Sequence, residues 1–204
     1  MFVCMAAGRG ERMRPLTNYL HKAMIPFSGV PFLAHAIASL PRDSEVIIIV
    51  NYRWEQIAGY FGDCYKGRHI KYLRQHDPKG TGDALFQFWK AYDPKDPVIV
   101  WQADQMMFPS DVEILSKAEP NAALYSRTPA GLREIGVWKI HPSILPKLKN
   151  ILVNGEYRAL PVLLKEGLNK VEVEREKLEI SFKEWNHLQE QCNSLRQKYP
   201  TEFP

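Results

Sequence analysis

Apolar and polar segments alternate along the first half of the chain in a strand–helix rhythm. The runs typical of strands lie at Phe2–Ala6 and at residues 45–51, 69–75 and 97–104. The segments with apolar residues at helical spacing lie between them, at residues 31–40, 54–61 and 82–92. The nearly continuous β-branched run at residues 45–51 predicts a strand buried on both faces, as in a parallel sheet. The rhythm predicts an α/β sheet with right-handed crossovers.

The second half of the chain is less regular. It predicts strands at 122–127 and 135–140, helices at 141–148 and 160–166, a pair of strands within 170–180 and a last helix at 182–197. The chain contains no internal repeat, low-complexity tract or Gly/Ser-rich linker. We therefore expect residues 1–204 to form a single domain.

Composition narrows the class of protein without naming a function. With 204 residues, 45% of them hydrophobic, the chain has enough apolar material for a core that needs no disulfide or metal. Its three cysteines are far apart and in no zinc-binding pattern, which favours a reduced, cytoplasmic protein. No secretory signal or membrane-spanning run is visible. The net charge of +4 fits phosphorylated substrates and weak nucleic-acid binding equally well.

The loop AAGRGERMRPLT, residues 6–17, directly follows the first strand and is rich in glycine and arginine. It is not a P-loop, because the spacing is wrong and Lys22 comes too late. It is not a dinucleotide fingerprint either, because Met13 replaces the third glycine and Pro15 disfavours a helix here. Two interpretations of this segment are left: a long phosphate-binding loop, or a basic loop exposed to solvent. In the first case, backbone N–H groups and the planar fork of Arg12 would face phosphate oxygens.

This loop and the following HKAMIPFSGVPFL closely resemble the signature of the nucleotidyltransferases that activate sugar phosphates. That signature reads L-A-G-G-x-G-T-R-L-x-P-L-T, then P-K-x-M-x-P-V and G-x-P-x-L. Two later segments are similar to family motifs in the same order: QHDPKGTGDAL at 75–85 and VIVWQAD at 98–104. The resemblance implies a Rossmann-like, mixed but mostly parallel sheet with helices on both faces. It also implies transfer of a nucleoside monophosphate from a nucleoside triphosphate to a phosphorylated acceptor, with release of pyrophosphate.

The resemblance also assigns residues to the nucleotide half, at about 1–110. The positions beside the base would be Ala6, Ala7, Gly8, Gln75 and Gly80. Gly10 and Arg12 would meet the triphosphate, and Lys22 would bridge the reacting phosphates, which makes Arg12 and Lys22 the implied catalytic residues. Asp104 would hold Mg²⁺ at the end of a buried strand. From the residues alone, Asp104 caps the next turn equally well, and 75–85 is also a good helix start.

The acceptor half, at about 111–204, matches more loosely. In REIGVWKIHPSIL, Gly136 takes the position that backs the sugar, and in GEYRALPVLL, Glu156 takes the position that binds acceptor hydroxyls. A structural alternative for Glu156 is an acid in the first turn of a helix.

Two positions depart from the family pattern. The second metal-ligand aspartate of D-x-G-T-P-x-D-L aligns with Ser181, a poorer Mg²⁺ ligand than a carboxylate. Glu179 or Glu184 would substitute after a register shift. His21 replaces the usual proline before the lysine, as in relatives that handle phosphocholine and similar alcohol phosphates.

Three functions therefore stay open: an active nucleotidyltransferase, a relative that binds nucleotide without turnover, and a nucleic-acid-binding domain. The third is disfavoured because the basic residues are interleaved with glycine and proline and no aromatic stacking motif accompanies them. The acceptor is a phosphorylated sugar or alcohol such as phosphocholine, and neither nucleic acid nor membrane is expected as a partner. A pyrimidine base is favoured by the family's habits. The sequence does not determine which base or acceptor is used, the pathway, or the oligomeric state.

Overall fold

The structure is a computed structural model that describes residues 1–174. The second strand and the last helix expected after residue 174 lie outside these residues, as do Ser181, Glu179 and Glu184. The strands are β1 (Phe2–Ala6), β2 (Pro26–Phe27), β3 (Val30–Pro31), β4 (Glu45–Val50), β5 (Cys64–Tyr65), β6 (Arg68–Arg74), β7 (Val98–Gln102), β8 (Ala122–Thr128), β9 (Gly131–Ile140), β10 (Leu152–Val153), β11 (Glu156–Tyr157) and β12 (Asn169–Val173).

The helices are α1 (Phe32–Ala38), α2 (Trp54–Phe61), α3 (Thr81–Tyr92), α4 (Pro109–Lys117) and α5 (Ala159–Lys165). Short 3-10 helices occupy Glu11–Met13, Leu16–Asn18, Lys22–Met24 and Pro142–Lys149. Within residues 1–174, no helix has the length and apolar content that crossing a bilayer requires.

One eight-stranded sheet runs in the order β12-β8-β9-β7-β1-β4-β6-β5. Neighbours pair in parallel except at β9, which runs antiparallel to β7 and β8, and at the edge strand β5. The sheet is therefore mixed and mostly parallel, as predicted. Strands from both predicted halves of the chain share it.

Both faces of the sheet are covered, which explains the continuous apolar run in β4. Val46, Ile48 and Val50 belong to a core cluster with residues of α1, α2 and α4. The alternate residues Ile47 and Ile49 belong to a second cluster, with residues of α3 and α5. All five side chains are fully buried, as a central strand between two helical layers requires.

The central strand β1 lies between β4 and β7, both parallel to it. The chain passes from β1 to β4 on one side and returns to β7 on the other, so the strand order reverses at β1. In open α/β sheets, ligands bind outside the carboxyl ends of the strands at such a point. The loops after β1, β6 and β7 all meet there.

Candidate functional site

A cavity of about 720 Å³ opens at this switch point. Ten of the eleven residues that the sequence assigned to a site line it: Ala6, Ala7, Gly8, Gly10, Arg12, Lys22, Gln75, Gly80, Asp104 and Glu156. The eleventh, Gly136, is not among the lining residues. Four separate segments of the chain thus contribute to one concave site, at the place where this sheet topology positions ligands.

The glycine loop after β1 is held in a defined shape. Gly10 has a φ of 64°, and its carbonyl accepts hydrogen bonds from Met13 N at 2.8 Å and from Thr17 Oγ1 at 2.9 Å. A Cβ at Gly10 would lie 3.0 Å from Thr17 Cγ2 and 3.1 Å from Lys22 Cβ. Gly10 is therefore required both for its left-handed backbone and for the close approach of Lys22.

His21 connects this loop to β1 and is deeply buried, with 2% of its surface exposed. Its Nδ1 accepts the backbone N–H of Ala23 at 3.1 Å, so the neutral ring carries its proton on Nε2, which donates to the Ala6 carbonyl at 3.0 Å. Burial lowers the pKa of His21 to about 4, against smaller raising effects of the Ala6 carbonyl and the Asp104 charge. His21 thus fixes the ends of the segment that carries Lys22.

A second support of the same segment comes from the start of α2, and the sequence analysis did not find it. Gln56 accepts the His21 backbone N–H through Oε1 at 2.6 Å and donates through Nε2 to the Tyr19 carbonyl at 2.8 Å. Tyr52 Oη donates to the Thr17 carbonyl at 2.7 Å. These contacts join residues 35 to 37 positions apart, so no local sequence signal reports them.

Lys22 and Asp104 form an ion pair on the cavity wall, with Nζ and Oδ2 2.5 Å apart. Their side chains are only 11% and 20% exposed, so water screens the pair weakly. Gln105 Nε2 donates to the other carboxylate oxygen, Oδ1, at 3.3 Å. Asp104 therefore does not cap a helix; the aspartate that accepts a backbone N–H at the start of α4 is Asp111, from Phe108 at 2.9 Å.

The thiol of Cys4 lies in the core beneath this pair. Burial and then the charge of Asp104 raise its pKa well above the ordinary value, so it stays a neutral thiol. Cys4 and the exposed Cys64 are both free cysteines.

Gln75 lies at the end of β6 and is held from several sides. Its backbone N–H donates to Val50 at 2.8 Å, and its carbonyl accepts from Asn51 Nδ2. Its side-chain Nε2 donates to Asp83 Oδ2 at 2.7 Å. Asp83 lies in the first turn of α3, which confirms that residues 75–85 include a helix start.

The segment with Glu156 packs directly on the glycines of the Gln75 loop. A Cβ at Gly80 would lie 2.4 Å from the Tyr157 carbonyl oxygen, and one at Gly82 would lie 2.3 Å from that of Leu148. Two backbone N–H groups tie the segment in place, Tyr157 to the Lys79 carbonyl at 2.7 Å and Ala159 to Thr81 Oγ1 at 3.0 Å. Glycine at Gly80 and Gly82 is thus a packing requirement.

The helical alternative for Glu156 is wrong. Glu156 lies in β11, a two-residue strand that pairs with β10, and α5 begins only at Ala159. Its carboxylate lines the cavity and pairs with Arg158 at 2.6 Å. Arg158 also lines the cavity and escaped the sequence analysis, although it lies only two residues after Glu156.

Gly136 lies in β9, behind the Asp104 turn. It has a φ of 78°, and a Cβ there would come within 2.7 Å of Gln105 Cγ. Its backbone N–H donates to Glu134 Oε1, which also accepts from Trp138 Nε1 at 2.7 Å. Gly136 therefore contacts the residue that holds Asp104, and its expected place behind a sugar stays a prediction.

Among residues 1–174, no group of three or more His, Cys, Asp or Glu side chains is arranged to hold a metal ion. Asp104, which the sequence analysis expected to hold Mg²⁺, lines the cavity with a carboxylate. One carboxylate is compatible with Mg²⁺, because this ion keeps several waters and shares the rest of its ligands with substrate phosphates.

The sequence of this chain resembles those of known proteins. Residues 2–130 match the Nucleotidyl transferase family. The chain is 37% identical over 112 residues to the bifunctional protein GlmU of Methanocaldococcus jannaschii, covering 54% of this chain and 26% of GlmU. It is 36% identical over 85 residues to the UTP–glucose-1-phosphate uridylyltransferase AglF of Haloferax volcanii, covering 41% and 35%. The chain thus spans well under half the length of these curated relatives.

Solved structures agree on the fold. A UDP-glucose pyrophosphorylase complexed with UDP-glucose superposes with a TM-score of 0.78 at 16% identity, covering 97% of this chain and 98% of that one. A putative glucose-1-phosphate thymidylyltransferase from Bacillus anthracis gives 0.76 at 17% identity, covering 95% and 94%. These likenesses confirm the Rossmann-like fold. Because the family match covers well over half of the residues, the chain belongs to the nucleotidyl transferase family.

Proposed function

We propose that the protein transfers a nucleoside monophosphate from a nucleoside triphosphate to a sugar-1-phosphate or a similar phosphorylated acceptor, with Mg²⁺ and release of pyrophosphate. The observation that carries the proposal is the Lys22–Asp104 pair, 2.5 Å apart, in one cavity with the glycine loop and Gln75. A cation, a metal-binding carboxylate and backbone donors converge there.

Charge is the main obstacle in this reaction, because an anionic acceptor must attack an anionic triphosphate. Catalysis then depends on neutralising charge and on aligning the two phosphates in line. The cavity wall offers Arg9, Arg12 and Lys22 from one continuous segment. Arg9 and Arg12 are exposed, whereas the Lys22 side chain is only 11% exposed. A cation held in a partly closed site stabilises the transition state more than it would in water.

The role of each residue is carried over from the family resemblance, and its place at the cavity supports it. Gly10 and Arg12 face the triphosphate, and Lys22 offsets charge on the acceptor phosphate and the α-phosphate. Ala6, Ala7, Gly8, Gln75 and Gly80 surround the base. Glu156, across the cavity on β11, binds acceptor hydroxyls through its carboxylate.

Asp104 is the residue that would hold the magnesium ion. Magnesium bound at this carboxylate would supply positive charge that offsets the charge of the reacting phosphates. Gln105 and Lys22 hold the carboxylate in the orientation that faces the glycine loop.

The acceptor class rests on the relatives. AglF acts on glucose-1-phosphate by its name, and a relative from Aneurinibacillus thermoaerophilus, 31% identical over 100 residues, is a D-glycero-α-D-manno-heptose 1-phosphate guanylyltransferase. A sugar phosphate is the shared feature. The expected pyrimidine preference stays a proposal, since these names include both a uridylyl and a guanylyl donor. Phosphocholine stays in the test because of His21.

The test is pyrophosphate release with Mg²⁺, using five nucleoside triphosphates, each against a pool of sugar-1-phosphates plus phosphocholine. We expect one combination to give release that Asp104→Asn loses. Asp96→Asn is the matched control, because Asp96 is exposed and precedes β7 at its opposite end. Triphosphates that raise the melting temperature without any release would contradict the proposal and favour a relative that only binds nucleotide.

A further inference from the structure

Asp83 is a buried carboxylate with no assigned role in the reaction. It is 2% exposed and accepts hydrogen bonds from two amides through Oδ2: Gln75 Nε2 and Gln87 Nε2, each at 2.7 Å. Lys149 Nζ approaches the other oxygen, Oδ1, at 3.2 Å. A carboxylate only accepts hydrogen bonds, so it dictates which end of each neighbouring amide faces it.

This contact fixes the orientation of Gln75. Its Nε2 must face Asp83, because a carbonyl oxygen in that position would meet a second oxygen with no proton between them. Gln75 Oε1 accepts no hydrogen bond from residues 1–174 and is not among the buried polar atoms without a partner. Gln75 lines the cavity with only 1% of its surface exposed, and the acceptor end of its amide is the end left for a ligand.

We propose that Asp83 sets the base selectivity of this site by locking the Gln75 amide with its carbonyl oxygen toward the base. The inference rests on the proposed function in taking the ligand to be a nucleoside triphosphate whose base contacts Gln75. A fixed acceptor favours bases that carry a ring N–H beside a carbonyl, which are uracil, thymine and guanine. Cytosine and adenine carry an unprotonated ring nitrogen at that position, so they reach the Gln75 oxygen only if the base shifts to bring its exocyclic amino group to it.

The surroundings of Asp83 keep this orientation in place. Lys149 lies between two aromatic rings, 5.2 Å from the centroid of Phe86 and 5.0 Å from that of Tyr157. It is therefore anchored beside Asp83 Oδ1, and its ammonium group can only donate. Lys149 is the last residue of the 3-10 helix Pro142–Lys149, Asp83 lies in the first turn of α3, and Tyr157 belongs to β11. The contacts around Asp83 therefore connect three elements beside Gln75.

The isosteric variant Asp83→Asn tests the lock directly. Lys149 retains the remaining side-chain oxygen, so the new amide nitrogen faces Gln75. Gln75 must then turn its oxygen inward and present its NH₂ group to the cavity, which suits cytosine and adenine better. We expect the wild-type protein to bind UTP at least about tenfold more tightly than CTP, the difference that one hydrogen bond provides. In Asp83→Asn, this ratio should fall by about tenfold or more.

The measurement is the dissociation constant for UTP, dTTP, GTP, CTP and ATP by titration calorimetry with Mg²⁺ and no acceptor, so that turnover is not needed. Gln87→Ala is the matched control, because it removes a side-chain amide hydrogen bond of the same length to the same Asp83 oxygen and leaves Gln75 unchanged. Its UTP to CTP ratio should equal that of the wild type. The ratio compares ligands with identical phosphates, so a general loss of stability does not change it.

Equal binding of UTP and CTP by the wild type, or an unchanged ratio in Asp83→Asn, would overturn the inference. So would the absence of triphosphate binding, which would remove the proposed function as well. Selective binding without pyrophosphate release would support the role of Asp83 and contradict the proposed function. Pyrophosphate release with equal kcat/KM for UTP and CTP would support the proposed function and contradict the role of Asp83.

Discussion

The ring of His21 and the carbonyl of Ala6 are joined by a hydrogen bond of 3.0 Å between Nε2 and the oxygen. This bond connects the residue before Lys22 to the last residue of β1, across 15 positions of the chain. It forms with the neutral ring, because the Nδ1 lone pair already accepts the Ala23 backbone N–H. An uncharged imidazole thus holds the end of the glycine loop against β1.

Stability should therefore fall as the pH is lowered through a defined window. Burial lowers the pKa of His21 to about 4 from 6.5, so the unfolded chain binds more protons between those values. The contribution of His21 is complete above pH 6.5, declines as the pH falls and is lost at about pH 4. Between pH 7.5 and 5 we expect a loss of about 2 kcal/mol in the free energy of unfolding.

Urea unfolding of the wild type, His21→Gln and His69→Gln at both pH values isolates this effect. His69 is exposed, so its variant should keep the wild-type pH dependence. His21→Gln should lose about 2 kcal/mol of that dependence, because it has no ring to titrate. Equal pH dependence in all three proteins would contradict the assignment.

Replacing Lys22 by alanine should reduce turnover by a hundredfold or more, by analogy with roughly 10²–10³ for other preorganised electrostatic donors. The same holds for Arg12→Ala. Lys95→Ala is the matched control, since Lys95 is 79% exposed and pairs with Asp93 on the surface. Steady-state pyrophosphate release measures the effect, and wild-type kcat in both Lys22→Ala and Arg12→Ala would refute the electrostatic mechanism.

The sequence predicted the central sheet because buried strands have a distinct composition. A strand buried on both faces must be almost entirely apolar, and β4 differs from its predicted range by one residue. Helix α4 was missed because its nine residues carry few apolar positions, although Pro109 and Asp111 mark its start. The β10–β11 hairpin was missed because two-residue strands have no periodicity, and Leu152 is exposed.

The site was predictable in parts. Local motifs placed Lys22, Gln75 and Asp104 at the cavity, because each follows a strand of the parallel sheet. The side chains that orient them were not predictable, since Gln56 and Gln105 act through contacts that no motif encodes. Such supports depend on how loops pack, which is a property of the folded chain.

Gly80→Ala should destabilise the protein more than its backbone conformation alone explains. Gly80 has a φ of 101°, and Gly131 has a φ of 112° with open space where a Cβ would lie. Gly131→Ala therefore measures the cost of placing alanine at such a positive φ, roughly 1–3 kcal/mol. In Gly80→Ala the new Cβ also collides with the Tyr157 carbonyl, which cannot easily move because the Tyr157 N–H is bonded to the Lys79 carbonyl. We expect this collision to cost roughly a further 1–3 kcal/mol in the free energy of unfolding. Equal urea midpoints for the two variants would show that the segment moves freely.

Gly136→Ala should impair catalysis through Gln105 while leaving nucleotide affinity nearly unchanged. A Cβ at Gly136 reaches within 2.7 Å of Gln105 Cγ, and Gln105 is 1% exposed, so it must shift and turn its amide from Asp104 Oδ1. We expect kcat to fall about tenfold, the equivalent of about 1.4 kcal/mol in the barrier. Gly167→Ala is the matched control, because the φ of Gly167 is 79°, close to the 78° of Gly136, and a Cβ at Gly167 would lie in open space. Since the two glycines have nearly the same φ, a fall in kcat confined to Gly136→Ala with an unchanged KM for the acceptor assigns the effect to the Gln105–Asp104 contact. An equal fall in both variants contradicts this assignment.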